Sequence, residues 1–213
     1  MSKQFIAILI VIIGGLFALL AFTNKDKPTD KSGGNSTAQP TNHVTGKSDS
    51  KVTLIEYGDF QCPACKAYFP IVQQLKTEYA DKVAFQFRHF PLTQIHNNAF
   101  IGSRAAEAAA SQGKFFEMHD ALYEQQDTWS SVSDPTPIFV NFATQLGLNT
   151  DQFKADMVST STTDLINADR KVAQDLGASG TPTFVLNGKK LDKSPTSIDE
   201  FKKLLDDALA TNQ

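Results

Sequence analysis

The sequence has 213 residues, with 20 lysines and arginines against 23 aspartates and glutamates, a formal net charge of -3. Spread along the chain, this balance offers no basic stripe to follow a phosphate backbone and argues against nucleic acid as a partner. The two cysteines, three positions apart, can build neither a disulfide framework nor a four-thiolate zinc site.

Residues 5–22 (FIAILIVIIGGLFALLAF) carry no charge and follow a start with one lysine, Lys3. As a helix this stretch would rise about 27 Å, close to the thickness of a bilayer core. A cleaved signal peptide would have a shorter apolar part and a small-x-small site, which is not evident around Ala18 to Thr23. Residues 1–23 are therefore read as a single transmembrane anchor or signal, with the uncleaved anchor preferred. Its orientation sets Lys3 against Lys25 and Lys27. From Asn24 to Thr41 no apolar residue exceeds alanine, so this stretch cannot offset the entropy of ordering, and residues 24–43 are read as a flexible tether. Treated as a coil from Asn24 to Ser50, it would reach roughly 25 to 30 Å. A single domain is expected over residues 44–213.

Within that domain KVTLIEY at 51–57, ending at Gly58, predicts a strand, and a helix is expected from Pro63 to about Ala80, with Pro70 kinking it. Val83, Phe85 and Phe87 alternate with Ala84, Gln86 and Arg88, predicting a second strand that ends before Pro91. Helical spacing then runs from about 93 to 177, in three stripes: Phe115, Met118 and Leu122; Ile138, Phe142 and Leu146; Leu165, Ala168, Val172 and Leu176. Thr183 to Leu186 reads as a strand, Asn187-Gly188 as a tight hairpin turn and Lys189 to Leu191 as its return. A last amphipathic helix puts Ile198, Phe201, Leu205 and Leu209 on one face. The order predicts an α/β fold, a small mixed sheet flanked by helices and interrupted by a helical block.

The chemistry concentrates in Cys62-Pro63-Ala64-Cys65, between a strand and a helix. Proline suits a first helical turn, and the unpaired N–H groups there, with the helix dipole, favour a thiolate at Cys62. Cys62 is thus the expected exposed nucleophile. Cys65, one turn deeper, can attack a mixed disulfide and resolve it, making Cys62-Cys65 a redox-active disulfide. A structural disulfide this short closes too small a loop to stabilise much, and a metal knuckle lacks its other ligands. Two inert buried cysteines would not need a strand-to-helix turn. Glu56, by period-two alternation, shares a face with Val52 and Leu54. Two readings stand for it: a buried carboxylate of raised pKa relaying the proton of Cys65, or a strand-end glutamate reaching solvent. Asp59 is its weaker rival. His43, His89, His96 and His119 follow no metal-ligand spacing, so no metal site is expected. His119 reads as structural, while His89 and His96 flank the second strand, from which they could approach the active site, and neither is taken as a site residue.

The segments VTLIEYGDFQCPACK (52–66), FRHFPL (87–92), AAEAAASQGKFFEMHDALY (105–123) and LGASGTPTFVLNG (176–188) together resemble the DsbA family of the thioredoxin superfamily. These are bacterial extracytoplasmic disulfide oxidoreductases in which a helical domain interrupts the thioredoxin fold. The resemblance implies a cis peptide bond at Thr181-Pro182, beside the cysteines, with Thr181 offering backbone hydrogen bonds to a substrate strand. It implies a dithiol oxidase for exported cysteine-containing proteins, acting outside the cytoplasm from a membrane anchor. It also implies reoxidation by a quinone-linked membrane protein of the DsbB or VKOR type. No bound cofactor is needed, and no added dimerisation region is evident, so a monomer is expected. Ala64 departs from the strongest oxidants of the family, which place a histidine there. Rival readings are a reductase or isomerase using the same residues and, from another class, a metal or folding chaperone.

Overall fold

The computed structural model describes residues 38–211. The anchor expected at 1–23 and the tether as far as residue 37 lie outside them. Among the described residues no helix is long and apolar enough to cross a membrane.

Among the described residues, packed structure is present before the expected boundary at residue 44. Thr41 is buried, its N–H and its hydroxyl both donating to the Asp169 carboxylate, at 2.8 and 2.5 Å. A short strand β1 (His43–Gly46) follows, missed because HVTG is too brief and too polar to carry a period. The coil expected to run to Ser50 is therefore interrupted by a paired strand. β2 (Thr53–Gly58) and β3 (Ala84–His89) match the predicted strands, shifted by one or two residues, and helix α1 (Pro63–Glu78) joins them.

Six helices fill the expected helical block: α2 (Ala99–Ala110), α3 (Phe115–Glu124), α4 (Gln126–Trp129), α5 (Thr136–Gln145), α6 (Thr150–Met157) and α7 (Thr160–Asp175). The chain then returns through β4 (Thr183–Leu186), β5 (Lys189–Lys190) and α8 (Ile198–Thr211). The β4–β5 turn is the Asn-Gly hairpin predicted, with φ of 50° at Asn187 and 78° at Gly188, the left-handed region its type demands.

The sheet is mixed, in the order β1-β3-β2-β4-β5. β2 and β3 run parallel, so Leu54 faces Phe85 and Glu56 faces Phe87 across the pair; β1 and β4 flank them antiparallel. On one face Leu54 and Phe85 pack with Val72 and Leu75 of α1 and with Phe201 and Leu205 of α8. On the other, Tyr57 and Val185 pack with Ala173 of α7. A third cluster, with Met118, Leu122, Trp129, Phe139 and Phe153, belongs to the helical block and takes in both cysteines. Each large side chain removed from water in these clusters contributes about 1.5 to 3 kcal/mol.

Two sequence readings shift. The alternation in β3 does not survive as burial, since Ala84 and Gln86 are buried beside Phe85 and Phe87 because the sheet is covered on both faces. In α7 the buried stripe is Thr162, Ile166, Asp169 and Ala173, one residue from the predicted stripe, because a buried aspartate rather than an apolar residue anchors it.

Candidate active site

β2 ends at Gly58, where a Cβ would lie 2.5 Å from the Phe87 ring and 2.9 Å from the Tyr123 hydroxyl, so only glycine fits. The loop from Asp59 to Gln61 is held from several directions. The buried Asp59 carboxylate accepts from the N–H groups of Gln61 and Leu92, at 2.8 and 2.9 Å, and contacts His96 Nδ1 at 2.7 Å. Asp59 thereby ties the loop to Leu92 and His96. Gln126 of α4 donates to the carbonyls of Phe60 and Cys62, at 2.7 and 3.1 Å. Gln61 donates to Ser130 O at 2.6 Å and accepts from Asn98 N–H at 2.6 Å. The helical block thus fixes the cysteine loop, a role for Gln126 and Gln61 that no local pattern announces.

Pro63 occupies the first position of α1, and Cys62 is its N-cap, in extended backbone (φ -69°, ψ 122°). The place where a serine or aspartate oxygen would normally accept first-turn N–H groups is taken by sulfur. Pro63 and Ala64 are exposed, whereas Cys62 is only 6 % exposed and Cys65 is fully buried. The expectation of an exposed nucleophile is corrected: the loop at Thr181-Pro182 covers Cys62, whose thiol lies 3.5 Å from the Thr181 carbonyl. That peptide bond is cis.

The two thiols are pulled in opposite directions. A hydrogen bond from the Cys65 thiol lowers the Cys62 pKa most; burial opposes it, and hydrogen bonds from the Thr181 side chain and from the N–H groups of Cys65 and Ala64 assist. The outcome is about 5. Burial pushes Cys65 well above its ordinary 9, and the hydrogen bond it gives to Cys62 and the charges at Glu56 and Cys62 push it further. Of the two sequence readings for Glu56, the buried one holds: it is 6 % exposed, and burial raises its pKa from 4.5 to about 7, against the pull of Lys76. Burial in turn lowers the pKa of Lys76, and it takes His119, as buried as expected, down to about 4. Glu56, Lys76, Gln86 and His119 line a cavity of about 10 Å³, roughly what one water needs. Tyr123, also buried, has its phenol pKa pushed up by burial and by charge at Cys65, Glu56 and Asp59.

The remaining histidines are not scattered as their spacing suggested. His43 Nε2 and His89 Nε2 each lie 2.6 Å from the same Glu107 oxygen, three ligating groups from β1, β3 and α2. Together they could hold a metal ion, a set that spacing does not reveal because residues 46 and 18 positions apart meet only in the folded sheet.

A family model described as Thioredoxin matches residues 38–207. Among solved structures, a thioredoxin-like oxidoreductase from Silicibacter pomeroyi superposes with a TM-score of 0.67 at 28 % identity, over 80 % of this chain and 93 % of that one. The α-DsbA1 of Wolbachia pipientis gives 0.70 at 20 % identity (82 % and 94 %). Oxidised BdbD of Bacillus subtilis gives 0.68 at 23 % (81 % and 97 %). The Na(+)/H(+) antiporter NhaA 1 of Mycobacterium sp. (strain KMS) is 36 % identical over 153 residues, covering 70 % of this chain and 24 % of the antiporter. NhaA 3 of Salinispora tropica is 36 % identical over 169 residues, 79 % and 25 %. This chain thus spans about a quarter of the length of the curated relatives it matches.

Proposed function

We propose that this chain, which belongs to the thioredoxin family as a DsbA-like member, is a thiol-disulfide oxidoreductase working as a dithiol oxidase on exported cysteine-containing proteins. One observation carries the reading: within a single helical turn Cys62 is held toward the thiolate, near 5, and Cys65 toward the thiol, well above 9. Forming a disulfide from such a pair sacrifices a stabilised thiolate, so the disulfide is readily reduced and oxidises its partner. The hydrogen bonds at Cys62 supply this without the histidine that Ala64 replaces.

In the reaction a substrate thiolate attacks Sγ of Cys62, the Cys62-Cys65 bond breaks, and Cys65 leaves with the electron pair. Its high pKa calls for a proton, a role assigned to Glu56, which is poised near 7 and whose charge reaches Cys65. A second substrate thiolate then attacks the substrate sulfur of the mixed disulfide and expels Cys62, a good leaving group because of its low pKa. The substrate leaves with a disulfide and the enzyme as a dithiol. Thr181, ahead of cis Pro182, would present backbone hydrogen bonds to the substrate strand, and Pro63 and Ala64 form the exposed rim.

Reoxidation passes two electrons to a quinone-linked membrane protein of the DsbB or VKOR type. The uncharged stretch at 5–22 supports a single-pass anchor with the domain outside the cytoplasm, and the polar residues after it support a tether. To test the oxidase direction, the oxidised full chain is mixed anaerobically with an equal amount of a reduced two-cysteine peptide. The peptide should become oxidised, and Cys65→Ser, activated as a mixed disulfide at Cys62, should release the two-cysteine peptide as its disulfide but stall at the adduct with a one-cysteine peptide. A peptide that stays reduced, while the reduced chain opens a peptide disulfide, would replace this reading with the reductase.

A further inference from the structure

At the edge of the sheet away from β4, three side chains converge that the redox chemistry does not use. His43 comes from β1, His89 from the end of β3 and Glu107 from α2. Their ligand atoms all lie within 4.8 Å of one another, and both imidazole Nε2 atoms already touch the same carboxylate oxygen at 2.6 Å. His89 is fully buried and Glu107 nearly so, whereas the His43 side chain is 17 % exposed and stacks on Phe115, with ring centroids 3.5 Å apart and planes within 6°. The cluster is thus held on its inner side and open on one.

We propose that His43, His89 and Glu107 form a zinc site whose fourth position is open to solvent. Two imidazoles and one carboxylate are a donor set that zinc takes in tetrahedral sites, and borderline nitrogen donors disfavour magnesium and calcium, which require oxygens. Tetrahedral bonds of about 2.0 to 2.1 Å set neighbouring ligand atoms roughly 3.3 Å apart. Reaching this from the present arrangement needs each nitrogen to move off the shared oxygen, from 2.6 Å to roughly 3.3 Å. Replacing two N–H donors with a divalent cation also neutralises a carboxylate otherwise buried between two imidazoles, which costs least when its charge is matched.

Such a site has a physical consequence. β1 is the first element among the described residues, held at its start by Thr41 on Asp169, and zinc would add a second attachment joining β1, β3 and α2. The metal would therefore lock the entry of the chain onto the sheet, independent of Cys62 and Cys65.

The test uses the full chain in its disulfide form, so that the thiols cannot bind metal, titrated with Zn²⁺ alone against a chelating indicator. One zinc per chain is expected, with binding weakened at least 10-fold in His43→Ala, whose partly exposed position leaves folding intact. X-ray absorption of the loaded wild-type chain should show two imidazoles at about 2.0 Å and no sulfur. No binding, binding unchanged by His43→Ala, or a first shell lacking the two imidazoles would each overturn the proposal. Glu107→Gln, which keeps the shape and removes the charge, should weaken zinc as His43→Ala does; unchanged affinity there would also contradict it.

Discussion

Cys62 and Cys65 belong to one helical turn, yet one region of that turn favours a thiolate and the other a thiol. At the mouth, Cys62 lies where α1 offers unpaired N–H groups, the cis Thr181-Pro182 loop lies over it and the Cys65 thiol points at it. At the floor, Cys65 is walled by the aromatic core of the helical block, with the charges of Glu56 and Cys62 nearby. The difference teaches that donors around one sulfur and desolvation around the other pull two thiols of one helical turn in opposite directions.

The strongest way to break this comparison is to remove one sulfur. Cys62→Ser should abolish transfer altogether, while Cys65→Ala should leave a single thiol whose pKa climbs from about 5 toward its ordinary 9, since its main stabilising hydrogen bond is lost. Absorbance of the thiolate near 240 nm against pH reads both; a Cys65→Ala midpoint still near 5 would assign the stabilisation to the helix alone.

Glu56 sharpens the floor. Its folded pKa is raised, so its favourable contribution is complete below about 4.5 and lost as the pH rises through about 7. Glu56→Gln should therefore melt higher than wild type at pH 8, by up to about 3 kcal/mol, and converge with it below pH 4.5. It should also slow release of Cys65 from the Cys62-Cys65 disulfide, the step that forms the mixed disulfide, roughly tenfold or more. A pH-independent stability difference would remove the raised pKa from the account.

The loop clamp comes next. Gln126→Ala leaves the carbonyls of Phe60 and Cys62 without their donor and should cost about 1 to 3 kcal/mol, measured by urea unfolding. The smallest effect expected is a redox shift in melting temperature. Cys62 has a depressed folded pKa, so the reduced form gains stability from about pH 5 upward, fully only above about 9. Reduction should raise the melting temperature by several degrees at pH 7 and by little at pH 4.5.

The strand-helix-strand frame, the Asn187-Gly188 hairpin and the cysteine pair were legible because each is written in a local pattern: alternation, a turn dipeptide, a proline at a helix start. The cis bond at Thr181-Pro182 was legible only through family resemblance. What was not legible depends on distant residues meeting. His43, His89 and Glu107 converge across β1, β3 and α2, and Asp169 of α7 holds Thr41 from 128 positions away. Gln126 reaches back 66 positions to Phe60. The stripe in α7 was misplaced by one residue because its anchor is a buried carboxylate, which hydrophobic periodicity does not count.

The most direct test of the oxidase reading is the reduction potential of the Cys62-Cys65 pair, equilibrated in glutathione buffers and read by thiol trapping. The low pKa of Cys62 predicts a value well above the roughly -270 mV of thioredoxin, the range of a disulfide donor. A value at or below that figure would contradict the account and make the same pair a reductase.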